Sequence, residues 1–158
     1  VLGDFSLADK RLNSAIASNP NESVAWLFKS VLSSMWGSAS ESVNEAMFAY
    51  ALSPIDPLKY FFELISASAL LTNNEHAKAI QHANRSIKAN RHHAPTYRVL
   101  LTAQVEIGLM EEARVTLQQL LREQPGLTVS SYLSIGSTDS VTRRRCTNAL
   151  RALGLPER

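Results

Sequence analysis

The chain has 158 residues, 45% of them hydrophobic, enough to bury a core in one ordinary domain or in a short array of small repeats. Sixteen basic and 14 acidic side chains leave a formal net charge of +2, so no global field recruits nucleic acid or an anionic membrane surface. The single cysteine, Cys146, excludes an intrachain disulfide and Cys-rich metal frameworks; this fits a reducing compartment, and the cytoplasm is the expected location.

Six glycines and six prolines are few for a chain of strands and turns, and Ala, Leu, Ser and Glu dominate, so the elements are expected to be helices. Residues 3–20 begin with Gly3, end with Pro20 and carry Phe5, Ala8, Leu12, Ala15 and Ile16 at helical spacing. Glycine turns tightly into such a stretch, and proline ends it by lacking an N–H and restricting the residue before it. A second helix is predicted over 22–36, "ESVAWLFKSVLSSMW", with Trp26 near its start. Residues 37–54 then repeat the first pattern, Gly37 and Pro54 each standing 34 residues beyond Gly3 and Pro20.

The stretch "SPIDP" at 53–57 absorbs three extra residues, since Ser42 and Ala79 are 37 apart; Asp56 is a candidate N-cap and Pro57 the first helical residue. The next unit is the weakest, with Asn74 and Arg91 where the glycine and proline would stand. Residues 94–108, "APTYRVLLTAQVEIG", place Tyr97 where Trp26 stood, and 108–125 run from Gly108 to Pro125 with Ala113, Leu117, Leu120 and Leu121 on one side. Beyond Pro125, Ser137 or Thr138 can cap a helix running to about Leu153 and ended by Gly154 and Pro156. Its apolar side would hold Val141, Cys146, Ala149, Leu150 and Leu153, with Arg143, Arg144, Arg145 and Arg151 elsewhere.

Small residues recur where paired helices must cross closely: Ala8, Ser42, Ala79 and Ala113 on the second helices, Ser30 and Ala67 on the first. With the 34-residue period, the early aromatic and the closing proline, the chain resembles the tetratricopeptide repeat (TPR). The resemblance implies an all-α fold, a right-handed superhelix of antiparallel helix pairs with a C-terminal capping helix. Residues 1–20 read as the second helix of a truncated repeat, 21–56, 57–93 and 94–127 as full units, and 128–158 as the capping segment. The half-repeat should leave apolar surface partly uncovered, so either the natural protein continues upstream or this surface meets a second copy.

A narrower likeness lies in "LSPIDPLKYFFELISASALL", "NRHHAPTYRVLLTAQVEIGLMEEAR", "PGLTVSSYL" and "LRALGLPE". These are similar to the C-terminal TPR region of bacterial class III adenylate/guanylate cyclase-like signalling proteins. There a cyclase domain precedes the repeats; related arrays follow a winged-helix DNA-binding domain instead. No catalytic residue of the cyclase domain falls within this chain.

No Gly-rich phosphate loop, HExxH pair, GxSxG elbow or EF-hand loop occurs, so no enzymatic activity, metal or cofactor is expected. His76 and His82, six residues apart, face different ways around a helix, and His92 and His93 lie in a connection; all four read as solvated. Cys146 reads as a small apolar residue on the inner side of the capping helix, and Arg143, Arg144 and Arg145 as a solvated face. No apolar run approaches the roughly 20 residues that span a bilayer, and no signal-peptide pattern opens the chain.

What remains is the concave groove that stacked first helices form. Correspondence with the TPR groove assigns it Val24, Leu27, Val31, Ser34 and Met35, then Phe61, Leu64, Ser68, Leu71 and Thr72, then Arg98, Thr102, Val105 and Glu106. The Lys, Arg and Asn clamp with which some TPRs grip a chaperone C-terminal carboxylate is not matched, Leu27, Val31, Pro95 and Val99 occupying its places. The groove either takes an extended or helical apolar segment, a helix of the same polypeptide included, or packs upon itself. The expected function is a non-catalytic module binding a protein or peptide segment, with neither nucleic acid nor membrane as partner.

Overall fold

The structure, a computed structural model, describes residues 5–36, 38–135 and 140–158. They form α1 (Phe5–Ser18), α2 (Ser23–Trp36), α3 (Ala39–Leu52), α4 (Lys59–Thr72) and α5 (His76–Ala89), followed by α6 (Ala94–Glu106), α7 (Met110–Glu123), α8 (Val129–Ser134) and α9 (Val141–Ala152). Each of the three glycine-to-proline stretches holds one helix of 14 residues, α1, α3 and α7. Gly3 and Gly37 themselves lie outside the described residues.

The turns show why the weakest unit still folds. Gly108 turns α6 into α7 with φ 81°, and Asn74 turns α4 into α5 with φ 61°. Both are left-handed, a region that asparagine tolerates better than other side chains after glycine. At the entry to each outer hairpin the aromatic acts as a polar anchor. Trp26 Nε1 donates to the Pro20 carbonyl at 2.8 Å, and the Tyr97 hydroxyl donates to the Arg91 carbonyl at 2.7 Å, each reaching six residues back.

Two helix starts differ from expectation. Helix α4 begins at Lys59, with Leu58 at the cap position, because Asp56 instead closes a short turn by accepting from the Leu58 amide at 2.7 Å. Helix α9 is capped by Ser140, whose hydroxyl accepts from the Arg143 amide at 3.2 Å, while Ser137 and Thr138 lie outside the described residues. The short helix α8 is an addition to the expected elements. It begins at a reciprocal capping box between Thr128 and Ser131.

Helices α2 and α3, α4 and α5, and α6 and α7 form antiparallel pairs, and consecutive pairs stack into a superhelical array. Helix α4 touches both α2 and α6, whereas α3, α5 and α7 meet one another far less, so α2, α4 and α6 form the inner layer. Positions 12 residues apart face each other within a pair. The Ser30 hydroxyl donates to the Ser42 carbonyl at 2.8 Å and Ser42 returns the bond to Ser30 at 2.9 Å; one repeat on, Ala67 and Ala79 are fully buried. Thr116 and Gln104 make the corresponding link between α7 and α6.

The middle repeat has a substitution that the repeat register exposes. Glu63 stands 37 residues after Trp26 and 34 before Tyr97, at the aromatic's place, and it is 0% exposed. Its carboxylate accepts from His82 Nδ1 at 2.6 Å and from Arg85 Nε at 3.1 Å. His82, expected on the surface, is therefore buried and ties α5 to α4. Burial alone would raise the Glu63 pKa, but hydrogen bonds from His82, Tyr50 and Arg85 outweigh it and hold the carboxyl below its usual range.

A lowered folded pKa means stabilisation that is complete above the unfolded glutamate value, about pH 4.3, and lost as pH falls through the lower folded value. Urea denaturation should show Glu63→Gln less stable than wild type at pH 7 by about 3 kcal/mol. The variant should also lose part of the wild-type decline in stability below about pH 4.3.

Candidate functional site

Of the residues assigned to the groove, Leu27, Leu64, Leu71 and Thr102 are buried in the interior. These four stand on α2, α4 and α6 with their side chains in the core. Val24, Val31, Ser34, Met35, Phe61, Ser68 and Arg98 remain at least partly accessible on α2, α4 and α6. The Phe61 ring lies 6.4 Å from Phe28 and 6.4 Å from His93, so α2, α4 and the residue that precedes α6 contribute to one aromatic row. Phe28, 47% exposed, was not among the expected groove residues.

The remaining assigned positions, Thr72, Val105 and Glu106, are contacted by the C-terminal segment of the chain itself. Helix α9 lies across α6 and touches α4. Thr142 hydrogen-bonds Thr72 at 3.1 Å, and Arg145 donates to the Leu71 carbonyl at 2.7 Å and to Glu106 Oε1 at 2.7 Å. His76 Nε2 lies 2.9 Å from the other Glu106 oxygen. Burial would raise the Glu106 pKa; the Arg145 and His76 contacts prevail and hold it below the usual carboxylate range. Val105 packs at the edge of the cluster formed by Leu101, Cys146 and Leu150.

Two expectations about α9 are corrected here. Arg143 and Arg145 turn inward rather than forming a solvated face: Arg145 pairs with Glu106, and Arg143 donates to the carbonyls of Tyr132, Leu133 and Ile135 at the end of α8. Their direction follows from the carbonyls at the end of α8 and from the Glu106 carboxylate, which Arg145 shares with His76. Val141 is exposed, while Cys146, Ala149 and Leu150 are buried. Burial pushes the Cys146 thiol up, against weaker opposing hydrogen bonds from Tyr132 and Thr102, which keeps it protonated and a poor nucleophile.

Between the open part of α2 and α4 and the covering segment lies a cavity of 360 Å³. Val31, Met35 and Ile65 form its apolar wall, Ser34, Ser68 and Thr142 supply hydroxyls, and Arg98, Tyr132 and Arg143 form its far side. Val31 and Met35 also border a second, apolar hollow of 600 Å³ that reaches Phe5, Leu12 and Phe28. Among the described residues no three His, Cys, Asp or Glu side chains come together as metal ligands, and no helix is long and apolar enough to cross a membrane.

No protein-family model matches the sequence, and no curated protein is similar to it. Solved structures share its fold. One of MamA aligns over 96% of this chain and 87% of its own length with a TM-score of 0.70 at 20% identity. The first TPR of Spaghetti (RPAP3), bound to the HSP90 peptide SRMEEVD, aligns over 84% of this chain and 90% of its own with a TM-score of 0.63 at 18% identity. The Arabidopsis OM64 TPR domain follows at a TM-score of 0.53 and 15% identity. The fold of this chain is thus that of TPR arrays.

If Arg145 holds α9 down, Arg145→Ala should speed alkylation of Cys146 under native conditions by about tenfold or more, with the helical circular dichroism nearly unchanged. Thiol labelling followed by mass spectrometry measures it. An unchanged rate would show that the apolar contacts of Cys146, Ala149 and Leu150 hold the helix alone.

Proposed function

We propose that this chain is a non-catalytic binding module that holds a peptide or helix against the open half of its concave face. The observation that carries this reading is a continuous accessible strip on the inner helices, Val24, Phe28, Met35 and Phe61, beside a cavity the chain leaves unfilled. Val24, Phe28 and Met35 are 40%, 47% and 39% exposed, an expense in hydration that an isolated array has no reason to keep on one face. The Spaghetti (RPAP3) TPR structure holds a peptide. That supports the use of such a face without naming the ligand of this chain. The groove reading keeps Val24, Val31, Ser34, Met35, Phe61, Ser68 and Arg98 as ligand contacts, adds Phe28, and assigns Leu71, Thr72, Val105 and Glu106 to the seat of α9.

A peptide-display screen against the chain tests it. Phe28→Ser and Phe61→Ser should each weaken selected binders by about tenfold, whereas Val115→Ser, on the exposed side of α7, should leave them unchanged. Binders indifferent to both phenylalanine substitutions would overturn the reading.

A second reading is a regulatory or oligomerising segment of a larger signalling protein, a nucleotide cyclase or a winged-helix regulator. It is favoured by the narrower sequence likeness and by the 600 Å³ apolar hollow beside α1, a helix with no buried residue. On this reading the hollow meets a helix of another module or of a second copy. Sedimentation equilibrium should then show concentration-dependent dimers that Leu12→Glu abolishes; a monomer at every concentration removes the self-association arm.

A further inference from the structure

The cavity between α2, α4, α8 and α9 carries an excess of positive charge among the described residues that line it. Lys29 is paired with Asp9, Arg85 with Glu63 and Arg145 with Glu106. Arg98 and Arg143, both half-buried, have no acidic partner among the described residues. Arg98 spends one N–H on the neutral Gln124 side chain at 2.8 Å, and Arg143 spends its terminal nitrogens on backbone carbonyls. These bonds satisfy donors without neutralising charge.

Both guanidinium groups stand against the same ring. Their carbons lie 5.4 Å and 5.6 Å from the Tyr132 centroid, so the two charges are within about 11 Å of one another. The ring offsets part of their repulsion, and no carboxylate is among the described residues that line the cavity between them. The N-terminus of α9 adds the positive end of a helix dipole to the same space through Ser140 and Thr142. Placing Arg143 in that first turn works against helix stability, since cations belong at the other end. Three sources of positive potential therefore converge on one opening, and among the described residues that line it none is of opposite sign.

We propose that this cavity receives a carboxylate side chain of the bound segment, held by Arg98 and Arg143 with the Ser68 hydroxyl donating to it as well. The segment is a peptide with an Asp or Glu flanked by apolar residues, the apolar ones lying on Phe28, Met35 and Phe61. The proposal rests on the groove reading above and deepens it. It assigns α8 and α9 a second role beyond covering the last repeat: they form one wall of the ligand site. A peptide is favoured over a small anion because the cavity opens onto the apolar strip through the shared Val31 and Met35. The usual carboxylate clamp plays no part, since its places hold Leu27, Val31, Pro95 and Val99.

The test uses two fluorescein-labelled pools of heptapeptides built from Ala, Leu, Phe and Ser, one with Glu fixed at the centre and the other with Gln. Fluorescence anisotropy on the full chain should show the Glu pool bound about tenfold more tightly at low salt, the difference shrinking at 500 mM NaCl, where the Debye length falls to about 4 Å. Arg98→Gln should erase the preference and Arg98→Lys should retain part of it; Arg143→Gln, which also loosens α8, serves as the second variant. Equal binding of both pools by the wild type, or a preference that survives Arg98→Gln, overturns the proposal. Equal binding that Phe61→Ser removes leaves the groove reading standing alone. Binding of neither pool, with inorganic phosphate shifting the Arg98 Nε resonance, replaces the peptide with a small anion and removes the groove reading as well.

Discussion

A helical hairpin of this kind has apolar surface on more sides than its own partner helix can cover, so every pair depends on a neighbour and the array on what happens at its ends. The core reflects this. It divides into three clusters along the stack, centred on Leu27 and Phe62, on Ala67 and Leu70, and on Leu101 and Leu120. The last is completed by Val129, Cys146 and Leu150 from the C-terminal segment. At the other end nothing equivalent is present among the described residues: α1 buries no residue, and a hollow opens between it and α2. The C-terminal end is covered by the chain itself, and the described N-terminal end is not.

The small-residue crossings set how closely the hairpins can be drawn together, and they differ in what they contribute. Ala67 and Ala79 simply leave room, while Ser30 and Ser42 exchange hydrogen bonds with each other's backbone in a fully buried setting. A hydroxyl buried without such a partner would cost more than it gave, so the serine pair is tolerable only because both members are present. Glu63 follows the same rule with a larger stake. It replaces an aromatic whose role in the flanking repeats is to anchor the chain entry, and it holds His82 and Arg85 instead. The anchor is thereby moved from the incoming loop to helix α5.

Much of the fold was legible because its determinants are local. Glycine and proline act through φ and a missing N–H, and the left-handed Asn74 shows that the position, rather than the glycine, defines the turn. The sheltered state of His82 was not visible, although the repeat register alone places Glu63 at a core position and demands a buried partner for it. Within the groove assignment, the repeat correspondence did not separate Phe61, Ser68 and Arg98, which are accessible, from Leu27 and Leu71, which lie in the core. Which part of it α9 would cover was beyond reach, because that depends on contacts such as Arg145 with Leu71, 74 residues apart in sequence.

Covering the last repeat and shaping a site are compatible because α9 uses its two ends differently. Its C-terminal half contributes Ala149 and Leu150 to the core, and its N-terminal half brings cations toward the inner layer. Arg145 meets Glu106 and is neutralised; Arg143, two residues earlier, meets only carbonyls and a ring. Had stability been the sole constraint on this helix, an acidic residue in its first turn would serve better by complementing the dipole, and none is there. Among the described residues, Arg98 and Arg143 thus hold their charge at the edge of the part of the concave face that α9 covers, which a helix selected for stability alone would not do.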